Sequence, residues 1–355
     1  MGTTPPGPEY CFSQEPEYHV STETESIVTA EAGSRSVRQA MRQSRRDESR
    51  KLPSSAGRRA AARRETAAGY GFLIPWLIGF AGLTLGPMIY SLYLAFTKYN
   101  LFTEPEWVGF DNFVRMFTDD PNYIQSVQIT LVYVLVGTPI KLAAALAIAM
   151  LLNYRDVGSG FFRSSFYAPS LIGASVSVAI VWRAMFSTGG PVDNSLSLFG
   201  INLGGWVGNV DLVIPMMILL AVWQFGAPMV IFLAGLKQIP QELYEAAEVD
   251  GAGPVRKFRS VTIPMLSSVI FFNLLLEMIN AFQVFTSAYI ISNGSGGPAG
   301  MTNFYTLYLY KRGFADLQMG YASAMAWVLV IAVAIIAFIL FKTQKSWVHY
   351  AGENR

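Results

Sequence analysis

The sequence predicts an all-α integral membrane protein with six transmembrane helices. Six stretches stay apolar for about 20 residues or more, the length a helix needs to cross a hydrocarbon core of about 30 Å. The 355-residue chain is 52% hydrophobic and only 14% charged, far outside the range of a soluble domain of that size. None of the six stretches shows the ten-residue dyad alternation of a membrane β-barrel.

The spans are expected at residues 70–96, 124–152, 164–186, 212–236, 265–291 and 319–341. The last, YASAMAWVLVIAVAIIAFILF, contains no charge. Orientation follows from Lys and Arg. With the N-terminus cytoplasmic, the inner segments carry twenty basic residues and the outer loops four: Lys98, Arg115, Lys311 and Arg312. Both termini of this multi-pass chain are therefore expected inside.

In chain order, residues 1–66 lack apolar periodicity. The first 34 hold six Glu and no Lys or Arg, and the next 30 hold eleven Lys and Arg. Such a segment buries too little surface to offset ordering entropy, so a disordered cytoplasmic tail is expected, with its Arg-rich half against anionic lipid or serving only as an orientation signal. It is too long to be read as a signal peptide. Residues 67–123 hold the first span, with Pro75 and Pro87, and an amphipathic, aromatic outer segment. Proline kinks are tolerated there where neighbouring helices satisfy the freed backbone groups. Residues 124–342 form a five-helix core, and 343–355 a second cytoplasmic tail.

Inventory excludes several chemistries. Cys11 is the lone cysteine, so no disulfide framework or cysteine metal site exists. His19 and His349 are the only histidines, both near the ends, which removes a zinc site or a Ser-His-Asp triad from the membrane body. No G-x-x-x-x-G-K-[ST] phosphate loop occurs, so the chain is not expected to bind ATP or any other cofactor, or to act as an enzyme. No nucleic-acid partner is expected.

Ionisable groups at membrane depth cost about 2.5–3.5 kcal/mol or more and usually face the bundle interior. In the fifth span Asn273, Glu277 and Asn280 recur at i, i+4 and i+7, with Gln283 close to the same side. This stripe either lines a water-filled path for a polyhydroxylated solute or bridges helices. Trp223, Phe282 and Tyr321 are candidates to stack on a sugar ring. Lys141, beside Pro139, is the other deep charge; it pairs with Glu277 or with a carboxylate on a partner. Arg183 lies near an outer end and can snorkel.

The segment between the fourth and fifth spans, residues 241–264, reads QELYEAAEVDGAGPVRKFRSVTIP. Pro240 opens a helix, early Glu242 and Glu245 suit its positive end, Gly251 ends it, and Pro254 begins a second short helix before Pro264 enters the membrane. The first helix is about nine residues, roughly 14 Å long. Leu243, Ala246 and Ala247 share one face, and Glu245 and Glu248 offer acceptors to a basic partner residue.

The spacing of Glu245-Ala246-Ala247, Gly251 and Val261-Thr262-Ile263-Pro264 resembles the EAA loop of permease subunits of binding-protein-dependent ABC importers. Val261 and Ile263 stand where Ile and Leu are commoner in that family. Two shorter runs resemble its carbohydrate-uptake class: Trp107-Val108-Gly109-Phe110-Asp111-Asn112-Phe113 after the first span, and Gly296-Gly297-Pro298 with Thr302 after the fifth. The resemblance implies a type I importer permease fold in the plasma membrane of a prokaryotic cell, with a cytoplasmic coupling helix that docks in a separate ATPase through Glu245, Ala246, Ala247, Asp250, Gly251 and Pro264. It implies as partners a second permease subunit, a dimer of ATPase subunits that bind the ATP, an extracytoplasmic solute-binding protein, a sugar-like solute and membrane lipid. Two alternatives stay open: an ion-coupled secondary transporter using Glu277 and Lys141, and an ABC importer for peptide, phosphate or polyamine. An intramembrane enzyme is disfavoured for want of a nucleophile–base pair. No internal repeat is evident, which weighs mildly against an inverted-repeat transporter.

Overall fold

The computed structural model describes residues 55–154, 159–173 and 175–348, with backbone alone for residues 55–65, 67, 68 and 159. The tail up to residue 54 with Cys11 and His19, Arg155, and the C-terminal residues from His349 lie outside the described residues. Two units separate at residues 82 and 83. In the first, α1 (Ser55–Phe80) passes through Pro75, and Trp76 stacks on Phe80 with ring centroids 5.2 Å apart. Its side chains from Tyr70 to Phe80 are largely exposed, as suits a lipid-facing helix.

The second unit opens with α2 (Gly86–Ala95) and a two-residue antiparallel ladder, β1 (Thr97–Lys98) with β2 (Glu106–Trp107), which the purely helical expectation omits. Next come α3 (Asp111–Thr118), α4 (Pro121–Val132) and α5 (Thr138–Asn153). The GFDNF run builds this corner. Asn112 Nδ2 donates to the carbonyls of Ala95 and Thr97, each at 2.9 Å, while Phe96 packs against Trp107, Phe110 and Phe113.

The middle of the chain forms α6 (Ser159–Ile172), α7 (Val176–Phe186), α8 (Pro191–Ser197), α9 (Val213–Trp223) and α10 (Gly226–Leu236). Then follow α11 (Gln241–Val249), α12 (Pro254–Lys257), α13 (Ile263–Phe282), α14 (Thr286–Ser292), α15 (Tyr305–Tyr310) and α16 (Met319–Trp347). Four helical runs are long and apolar enough to cross a membrane: Gly69–Ala95, Pro121–Asn153, Pro254–Ser292 and Met319–Trp347. Two bent pairs bring the total to six if each pair is one span: Gly160–Ile172 with Val176–Ser197, and Val213–Trp223 with Gly226–Leu236.

The third and fourth spans are thus broken, where the sequence suggested unbroken helices at 164–186 and 212–236. The fourth bends by 46°. Pro228 is the cause: it has no N–H to give the carbonyl of Gln224, four residues back, and its ring crowds that carbonyl. Ser170, on α6, repairs the break. Its hydroxyl donates to Gln224 O at 3.0 Å and accepts from Ala227 N at 3.0 Å. Gly226 permits the approach, because a Cβ there would lie 2.6 Å from Phe166 O and 2.7 Å from Ser170 Oγ.

Three prolines in the spans are absorbed locally, not by neighbouring helices alone. Five-residue π-helical segments at Ala81–Leu85, Tyr133–Gly137 and Phe258–Thr262 each end two residues before a proline: Pro87, Pro139 and Pro264. The wider turn moves the i−4 carbonyl away from the proline ring. The core packs α5, α10 and α13 together: Ala145 and Ala149 meet Met229, Phe232, Leu233 and Leu266. Gly235 lets α13 close in, since a Cβ there would sit 2.9 Å from Leu266 and Val269 side-chain carbons.

Candidate functional site

Two regions gather the residues singled out in the sequence: the 241–264 loop and a cavity in the bundle.

The loop folds as its punctuation dictates. α11 has nine residues, Pro240 at its N-cap, and no buried residue. Its C-terminus is a Schellman motif: Ala252 N donates to Ala247 O at 2.8 Å and Gly251 N to Glu248 O at 2.9 Å. Gly251 takes φ +73° with open space around its Cα, so the glycine serves backbone conformation and not packing. Glu245, Ala246 and Asp250 are exposed, as is Leu243, and Ala247 is half-buried. Glu248 turns back to Lys257, with Oε2 2.8 Å from Nζ. That hydrogen bond and the lysine's charge hold its carboxyl below the usual range. Tyr244 shares a hydrogen bond of 3.0 Å with Thr262 Oγ1. The second short helix is not separate from the fifth span: helix continues from Pro254 through Pro264 to Phe282.

The cavity, about 370 Å³, lies among α5, α9, α13 and α14 and is lined by Tyr133, Thr138, Lys141, Gln224, Glu277, Asn280, Gln283 and Phe285 with smaller neighbours. Lys141 Nζ lies 2.7 Å from Glu277 Oε2, so the two deep charges pair within the chain, one of the two outcomes the sequence allowed. Their side chains are only 15% and 12% exposed. Low local dielectric makes the pair's attraction strong and an unpaired member costly.

Glu277, Asn280 and Gln283 reach this cavity; Asn273 does not. The lining on α13 begins at Glu277, and Asn273, a turn closer to the loop, is buried with its Nδ2 unpartnered among the described residues. Helical spacing gave the correct side but not the depth at which the cavity closes. The three aromatic candidates also lie elsewhere. Trp223 packs on Trp182, Phe282 is buried facing away, and Tyr321 donates to Asp120. Tyr133 and Phe285 are the rings that line the cavity. Sequence reasoning also missed Gln224, which the Pro228 break places there, and Thr138, whose buried Oγ1 has no hydrogen-bond partner among the described residues. The QxxxP spacing was the available signal.

A second polar cluster surrounds Asp120, the N-cap of α4. Its carboxylate accepts from Tyr308 Oη at 2.6 and 2.7 Å, from Tyr321 Oη at 2.8 Å and from Tyr123 N at 3.2 Å, with Arg312 Nη2 at 3.3 Å. Burial pushes the Asp120 carboxyl up, yet these donors and the Arg312 charge outweigh it and hold it below the usual range. Burial and the bond to Asp120 push the Tyr308 phenol well up. Arg183, near an outer end, donates to Ile290 O at 3.4 Å and to Asn293 Oδ1, at the end of α14. The GGP loop closes on itself: buried Thr302 donates from Oγ1 to Gly297 O at 2.6 Å.

Residues 129–346 match the family model described as "Binding-protein-dependent transport system inner membrane component". The chain is 51% identical over 293 residues to the probable ABC transporter permease protein YesP of Bacillus subtilis, covering 82% of this chain and 95% of the relative. It is 32% identical over 280 residues to the lactose transport system permease protein LacF of Rhizobium radiobacter, covering 77% and 92%. The fold matches a chain in the crystal structure of a bacterial alginate ABC transporter in complex with an alginate pentasaccharide-bound periplasmic protein, with a TM-score of 0.68, 21% identity, and coverage of 79% of this chain and 95% of that one. A helical bundle with a polar cavity, an exposed loop helix and matches of this extent place the chain in the binding-protein-dependent transport system inner membrane component family, as a permease subunit of an ABC importer.

Proposed function

We propose that this permease carries a sugar or sugar-like solute, handed over by an extracytoplasmic binding protein, and that a separate pair of ATPase subunits drives it through the 241–264 loop. The observation that carries the coupling half is α11. It is a nine-residue helix with no buried residue, ended by a glycine held in a left-handed conformation that no local packing requires. A helix with Ala246 and Ala247 beside Glu245 fits the cleft of a partner closely and offers a carboxylate to a basic residue there. Asp250, Gly251 and Pro264 set its exit and the entry to the span.

The cavity supports the solute half. The Lys141–Glu277 pair, Thr138, Gln224, Asn280 and Gln283 present both donors and acceptors, while Tyr133 and Phe285 offer ring faces. Hydroxylated solutes use that mixture; the lactose assigned to the relative LacF is one example. Asn273 serves the packing beneath the path. ATP closure of the partner ATPases opens the path outward, and hydrolysis resets it inward. Both termini and the loop face the cytoplasm in this reading, and a second permease, homologous or identical, completes the path.

The test is co-purification from native membranes in mild detergent, comparing wild type with Glu245→Lys and Gly251→Trp. ATPase subunits and a second permease recovered with wild type and lost with the variants support the reading. A chain that purifies alone and transports in liposomes without ATP overturns it in favour of ion coupling.

A further inference from the structure

We propose that the hydrogen bond between Tyr244 and Thr262 is the joint that transmits movement of α11 to the fifth span, and that these two are positioning residues for transport. The proposal rests on the reading of α11 as the helix that docks the ATPase.

The backbone between α11 and the span is poorly suited to carry force. It runs through Gly251 and Gly253, and a Cβ at either would meet nothing within 4 Å, so no packing stiffens this turn. A push on α11 is dissipated there unless a side chain bypasses it. Two side-chain ties do so. One is the Glu248–Lys257 pair, whose Glu248 side chain is 75% exposed; water and salt screen it. The other is Tyr244 to Thr262 at 3.0 Å, and Thr262 is 6% exposed. The buried tie is the stronger candidate, because its hydroxyls have less competing water.

The hydroxyls nearby behave differently. Ser260, for one, donates to Arg256 O at 2.6 Å on its own helical run. Thr262 instead meets a side chain 18 residues away. It also closes the π-helical segment Phe258–Thr262, the wide turn before Pro264. Such turns mark places where a helix adjusts its register. From Thr262 the same helical run continues to Glu277 and Asn280, about 22 to 27 Å further at 1.5 Å per residue. A displacement at Tyr244 therefore reaches the cavity wall along one rod.

The experiment uses the assembled complex from native membranes, with Cys11→Ser and a reporter cysteine at Ser287, which lines the cavity. An impermeant maleimide is applied with and without ATP plus vanadate. Tyr244→Phe and Thr262→Val are expected to keep the ATPase subunits and ATP hydrolysis, and to reduce the nucleotide-dependent change in labelling at least threefold. Thr262→Ser is expected to restore it, and the double variant Tyr244→Phe/Thr262→Val to be no worse than either single one. An unchanged labelling response in Tyr244→Phe overturns the proposal. So does loss of the ATPase subunits from that variant, which would make Tyr244 a docking support. Glu245→Lys separates the two readings: if it retains the ATPase, the docking role of α11 fails. If it loses the ATPase while Tyr244→Phe responds normally, only the joint fails.

Discussion

Lys141 and Glu277 meet at 2.7 Å across the contact between α5 and α13, and the polar cavity begins at that pair. One charge comes from the second span and one from the fifth, so the bond ties two helices far apart in the sequence.

Removing one charge is expected to cost more than removing both. Glu277→Gln leaves the Lys141 ammonium without its partner, at about 2–3 kcal/mol, somewhat below the 3–5 kcal/mol of a fully buried pair because the cavity admits water. The double variant Lys141→Met/Glu277→Leu is expected to melt close to wild type in detergent while transport falls at least tenfold. Thermal melting by size-exclusion chromatography, beside solute uptake, checks both halves.

Gly251→Ala is expected to weaken the turn after α11 by about 1–2 kcal/mol, the cost of a Cβ in the left-handed region, with no steric contribution. Gly251→Asn costs less, since Asn tolerates that conformation. Recovery of ATPase subunits on purification is expected to rank glycine, asparagine, alanine, in that order.

Ser170→Ala removes the hydroxyl that serves both Gln224 O and Ala227 N. Leaving two backbone groups of a broken span unsatisfied is expected to cost about 1–3 kcal/mol. Gly226→Ala is expected to cost about 3 kcal/mol, because the new methyl meets backbone of α6 that cannot yield. Ser170→Thr keeps the hydroxyl and is the control for melting temperature.

Asp120 makes acid stability measurable. Its carboxyl titrates below its ordinary unfolded value of about 3.9. A depressed folded value means that its stabilisation is fully present above about pH 4 and is lost as pH falls through the folded value. Asp120→Asn is expected to be less stable than wild type at pH 7 by about 2 kcal/mol, having lost the charged acceptor of two phenols and Arg312. That gap is expected to close below about pH 4. A pH series of melting temperatures for the two proteins reads it out.

Periodicity and punctuation carried much of this molecule. Pro240, Gly251 and Pro254 mark the loop helix to the residue, and the apolar runs mark the spans. Cavity depth was less legible. Asn273, Glu277 and Asn280 share a helical face, but which of them reaches open space depends on where Lys141 arrives from another helix. The aromatic candidates lie off the cavity for the same reason: a ring's partner in space, such as Asp120 for Tyr321, leaves no trace at short range.

The sequence by itself determined the membrane class, the apolar helical runs, the loop helix and its glycine exit. These depend on local properties: transfer free energy summed over about 20 residues, proline's missing donor and glycine's freedom at positive φ. The tertiary structure alone decided how the broken fourth span is repaired, which polar residues share the cavity, and that Tyr244 bonds to Thr262. Those are pairings between segments tens of residues apart, fixed by how the helices pack, and a one-dimensional pattern does not contain them.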